Sequence, residues 1–124
     1  GLGFAVDWTK PDFCGRDAIH RAREAGKPTR RLVQIRVEGG DNAPLLYHEE
    51  PILHEGRIVG SVTSGGYGHR VGASLGLGYV NHPEGVNADY LRSGVFEVEI
   101  ACKRYPAHVQ LGPFYDSKSE RIHA

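Results

Sequence analysis

Short runs of strict apolar–polar alternation, separated by glycine-rich turns, limit this chain more than any other feature. Val33, Ile35 and Val37 alternate with Gln34, Arg36 and Glu38, the pattern of a strand with one face buried. Pro51-Ile52-Leu53-His54 and Arg57–Thr63 flank Glu55-Gly56, a two-residue hairpin signal. In Ala73–Val80, Leu75, Leu77 and Tyr79 alternate with Gly76 and Gly78. That glycine face invites close approach of another backbone. Val95–Ile100 alternates cleanly, and Tyr105–Val109 follows after a turn expected near Lys103-Arg104. Gly39–Asn42 reads as a turn, Ser64–His69 as a loop, Asn81–Ser93 as a long connection, and Gly112–Ala124 has no period. Six or so short strands of this kind would leave many open edges unless the sheet closes. The expected fold is therefore mainly β, a small closed antiparallel barrel.

Two elements are expected ahead of it. Leu2, Phe4 and Val6 alternate with Gly3, Ala5 and Asp7, a short strand signal. Ala18, Ile19, Ala22 and Ala25 follow helical spacing over residues 15–25, with Asp12 or Gly15 as the start cap. Gly26 and Pro28 supply the stop.

At 124 residues the chain suits one domain with an appended arm and buries roughly two-thirds of its unfolded surface. Fifteen basic residues balance fifteen acidic ones. A sequence-independent hold on nucleic acid needs a basic excess, so no nucleic-acid partner is expected. No apolar run approaches the roughly 20 residues of a membrane span. Cys14 and Cys102 are too few for a disulfide scaffold and are expected to be reduced, partly buried thiols. The start Gly1-Leu2-Gly3-Phe4 and the lack of any Met fit a piece of a longer protein.

Little in the chain forms a reaction centre. Seven histidines stand in no metal-ligand frame and fall on different elements. Gly65-Gly66-Tyr67-Gly68 lies between strands, where a phosphate loop would open a helix. Ser64 lacks the frame of a strained nucleophile. Cys14 has no neighbouring base, so burial beside Phe13 is expected.

Longer phrases carry more. Gly1-Leu2-Gly3-Phe4 followed by Lys10-Pro11-Asp12-Phe13-Cys14-Gly15, the stretch Gly56–Tyr67 with its Val62-Thr63-Ser64-Gly65, Leu75-Gly76-Leu77-Gly78-Tyr79-Val80, Tyr105-Pro106-Ala107 and Pro113-Phe114-Tyr115-Asp116 resemble, in order, the C-terminal part of the glycine-cleavage T-protein (aminomethyltransferase) family. Ser64–His69 and Asp89–Gly94 look most like its sarcosine and dimethylglycine dehydrogenase members.

The resemblance implies a closed six-stranded Greek-key barrel at residues 30–124, with residues 1–29 left from or leading out of a preceding folate-binding domain. It implies a parent enzyme in which a flavin (FAD) domain oxidises an N-methyl amine and a second half passes the one-carbon unit to tetrahydrofolate. Partners would be those preceding domains of the same chain. The compartment would be the cytoplasm of a bacterium or the mitochondrial matrix of a eukaryote. The family's catalytic aspartate and flavin attachment lie upstream, so no catalytic residue is assigned. The candidate folate contacts are Phe4 and Arg121 by motif position, an aromatic face for the pterin and a guanidinium fork for a glutamyl carboxylate, and Tyr115 as a rim contact, its alternative role being packing on the barrel. A free-standing aminomethyltransferase or related demethylase, and a non-catalytic interaction barrel, are the alternative readings.

Overall fold

The structure is a computed structural model that describes residues 2–121 and 123, and of Phe4 the backbone alone. Helix α1 spans Arg16–Glu24. It is followed by β1 (Arg30–Val37), β2 (Pro51–His54), β3 (Arg57–Gly68) and β4 (Ala73–Asn81), then helix α2 (Ala88–Arg92), β5 (Phe96–Ile100) and β6 (Lys103–Gln110). The strands close in the order β1-β4-β3-β2-β5-β6, every pair antiparallel. The consecutive strands β2, β3 and β4 lie side by side and β1 returns beside β4, which is a Greek key. The fold is mainly β, as the alternation implied.

Alternation decides what fills the barrel. Val33, Ile35 and Val37 of β1 meet Ile52, Val62, Val80 and Val98 inside. Strand β4 is inverted: Gly76 and Gly78 face the interior, while Leu75, Leu77 and Tyr79 face outward. The larger residues opposite explain this. A Cβ on Gly78 would lie 2.6 Å from the Ser61 carbonyl and 2.9 Å from Ile52 Cδ1, and one on Gly76 would lie 2.8 Å from Leu46 Cδ1. Leu46, from the loop before β2, is fully buried, and its N–H donates to the Oγ of buried Ser74 at 3.1 Å. It plugs the space those glycines leave.

Several expectations change. The N-terminal alternation gives no strand: Leu2–Ala5 is a single 3-10 turn, because no sheet edge is offered to it. Ser64–Gly68 continues β3 instead of forming a loop, paired to β4 from Ser64↔Leu77 to Gly68↔Ala73 after a bulge at Thr63. Glycines hide the period there. The β5–β6 turn is Ala101-Cys102, both at positive φ, two residues earlier than expected. Within the expected long connection, Asn87 caps α2 by accepting from the Tyr90 N–H at 2.8 Å. Gly15, in a left-handed conformation, starts α1. Cys14 and Cys102 are both exposed and free, since each lies at a turn outside the barrel.

Helix α1 buries no residue fully. Its contacts are with its own arm: Trp8 meets the His20 ring edge-on at 5.5 Å, and the Arg23 guanidinium lies 4.6 Å from the Trp8 ring centroid. The arm joins the barrel through its last residues, where Thr29 and Pro28 carbonyls accept from His82 and Val86 N–H groups.

Candidate functional site

Two of the three residues singled out in the sequence lie in one turn of the tail. Asp116 and Ser119 adopt positive φ, which folds the chain back so that the Asp116 carboxylate accepts from the Arg121 N–H at 3.2 and 3.4 Å. The Arg121 guanidinium then stands 6.0 Å from the Tyr115 ring centroid, and Tyr115 is 41% exposed. The turn therefore offers an aromatic face with a cation beside it. The side chain of Phe4 lies outside the described residues, and its backbone belongs to the Leu2–Ala5 turn.

The residues set aside as weak candidates do not converge. Among the described residues no group of three or more His, Cys, Asp or Glu could hold a metal ion. Gly65 is pressed against Leu46, where a Cβ would strike the Leu46 backbone. Its conformation serves packing.

Two clusters went unread in the sequence. At one end of the barrel the rings of His54, Phe96, Tyr90 and His82 cluster with centroids 4.1–5.9 Å apart, Tyr90 meeting His54 and Phe96 edge-on. His54 Nε2 lies 2.7 Å from the Ser93 carbonyl. A carbonyl only accepts, so that nitrogen carries the proton. Burial pushes the Tyr90 phenol above its ordinary pKa. The second cluster flanks β6: Arg36 lies over Phe114 at 5.5 Å, and His108 Nε2 is 3.2 Å from Glu38 Oε1. Both assemble residues from distant elements. Only the Asn87 cap before Tyr90 was a local signal.

Residues 30–116 match the glycine cleavage T-protein C-terminal barrel domain. This chain belongs to that family. Members of the T-protein barrel family and their longer relatives agree with it along nearly its whole length. It is 37% identical over 123 residues to 4-methylaminobutanoate oxidase (formaldehyde-forming) of Paenarthrobacter nicotinovorans, covering 98% of this chain and 14% of that protein. It is 38% identical over 116 residues to the aminomethyltransferase of Parasynechococcus marenigrum, covering 93% and 29%. It is 31% identical over 125 residues to human mitochondrial sarcosine dehydrogenase, covering 98% and 13%. The chain thus spans under a third of the length of each of these relatives. The solved aminomethyltransferase T of Bartonella henselae shares the fold at TM-score 0.62 and 21% identity, over 83% of this chain and 26% of that one. No helix among the described residues is long and apolar enough to cross a membrane.

Proposed function

We propose that this T-protein barrel is the terminal module of a folate-linked N-methyl amine dehydrogenase. It closes one side of a tetrahydrofolate cleft whose catalytic groups belong to preceding domains of the same polypeptide. The observation that carries this reading is the extent of the match. Two relatives named as an oxidase and a dehydrogenase align with 98% of the chain, arm and tail included, yet this chain is only 13–14% of their length. Residues 1–29 then belong with the preceding domain, which gives the exposed α1 a surface to cover it. The outward Leu32 and Leu77, 39% and 37% exposed on adjoining strands, give the barrel wall a matching apolar stripe.

The tail turn fits such a cleft chemically. The exposed Tyr115 face suits a flat heterocycle by stacking, and the Arg121 fork suits a glutamyl carboxylate. Phe4 is the third proposed contact. FAD is assigned to the preceding domains on the likeness to the dehydrogenase relatives alone. The cytoplasm, or the matrix in a eukaryote, is the proposed compartment. The alternative reading, an aminomethyltransferase, rests on the 38% identity to the Parasynechococcus marenigrum enzyme. A flavin fingerprint in the upstream sequence separates the two.

The test uses the full-length protein. Arg121→Gln should raise KM for tetrahydrofolate about tenfold, the loss of one charge-assisted contact, and leave KM for the amine unchanged. Tyr115→Ala should do the same more weakly. Unaltered folate dependence in both variants would overturn the assignment.

A further inference from the structure

We propose that the cleft between β6 and α2 binds a small carboxylate with an aryl or short alkyl body. The cleft exists because β6 outruns its neighbour. Strand β6 pairs with β5 only from Lys103 to Pro106, whereas Ala107–Gln110 pair with β1 alone. Helix α2 and the Gly94-Val95 turn cover the gap loosely, leaving a cavity of about 630 Å³. That size lies within the range of small-molecule sites.

Its lining divides by chemistry. Leu91, Phe96 and Val109 are buried in the floor, and Val95 at the edge is 60% exposed. Arg36 and Arg92 supply guanidinium groups, and the His108 imidazole and Glu38 carboxylate line the cleft beside them. Arg92 is engaged with Asp89 at 2.6 Å, and Glu38 is engaged with His108 Nε2 at 3.2 Å. Among the described residues no carboxylate pairs with Arg36. Its guanidinium is instead held over the Phe114 ring at 5.5 Å, and the Phe114 N–H donates to Gln34 Oε1 at 3.3 Å. A half-buried guanidinium fixed on an aromatic face is poised to receive a carboxylate through both N–H groups. The apolar floor then takes the body of the same molecule. Inorganic phosphate would reach the cation and leave the floor bare.

Every residue in this argument belongs to the barrel or the tail, so the proposal does not rest on the folate reading. The experiment is a ¹H–¹⁵N NMR titration of the 124-residue chain with sodium benzoate, benzyl alcohol and inorganic phosphate in parallel. Benzoate should give saturable shifts at Val95, His108, Leu111 and the Arg36 Nε–H. Benzyl alcohol, the neutral analogue, should bind at least about tenfold more weakly, and phosphate should not saturate. Arg36→Gln should weaken benzoate by a similar factor, while Arg57→Gln on the β2–β3 hairpin leaves it unchanged. If Arg36→Gln fails to fold, the benzoate and benzyl alcohol pair on the unaltered chain still decides. Equal affinity for those two, phosphate binding as tight as benzoate, or no saturable shift in the cleft would overturn the proposal.

Discussion

A single methyl group separates Gly60, Gly65, Gly76 and Gly78 of this barrel from steric conflict. Gly65 sits against the Leu46 backbone, so Gly65→Ala must push the plugging loop outward. Overpacking of this kind costs about 1–3 kcal/mol, and urea unfolding should show it as a lower midpoint with an unchanged slope. Gly66, with nothing within 4 Å of a built Cβ, is the control and should tolerate alanine. At the β5–β6 turn the requirement is reversed: Ala101 and Cys102 hold φ of 48° and 62°, a region that costs an L-residue about 1–2 kcal/mol. Ala101→Gly should therefore raise stability by up to about 1 kcal/mol, visible as a higher thermal midpoint. Tyr67 donates to Asp41, and that hydrogen bond, with the carboxylate charge beside it, holds the phenol above its usual pKa. The unfolded chain ionises first on the alkaline side. The stabilisation is present below about pH 10 and is lost as pH rises through the folded pKa. Asp41→Asn should bring the phenol back down in a tyrosinate absorbance titration. The glycine signature was legible as close backbone approach at Gly76 and Gly78. At Gly65 it was misread as a loop, because the partner is Leu46, nineteen positions earlier, and no local pattern reports it.

Elements were legible where their period was intact. β1 alternates through Val33–Val37 and β5 through Phe96–Val98, whereas β2 buries Ile52 and Leu53 side by side across a register shift; the Glu55-Gly56 hairpin forms with both residues at positive φ, as a type I′ turn requires. Elements failed where context decides. Leu2–Ala5 has strand alternation and no edge to join. α2 is five residues long and held mainly by its Asn87 cap and by Leu91 in the core. Helix α1 was legible in its spacing and stop signals, yet its apolar stripe is not covered by the barrel. Removing residues 1–26 should therefore leave the barrel's β circular dichroism and cooperative unfolding in place, because the backbone bonds from Pro28 and Thr29 are kept. The contrasting change is Ile52→Ala in the fully buried core, which should cost about 2–5 kcal/mol. A truncation as damaging as that substitution would show that the arm is part of the barrel's own core.

At the scale of the whole molecule, the six strands close around an apolar, filled interior. Ile35, Ile52, Val62 and Val98 of the strands and Leu46 of the loop before β2 fill the cylinder, and the tail residues Tyr115 and Arg121 stand at the surface. The barrel itself was legible because closure follows from the count of short strands. The candidate site was legible only as a resemblance, since its geometry comes from a turn at Asp116–Arg121 that has no period to read. The account rests on the barrel being one wall of a cleft shared with preceding domains. The most direct measurement is isothermal titration of tetrahydrofolate into the 124-residue chain and, in parallel, into the full-length protein. We expect micromolar, saturable binding by the full-length protein and affinity at least a hundredfold weaker for the chain alone, a difference of about 2.7 kcal/mol. Equal micromolar affinity in both would contradict the account.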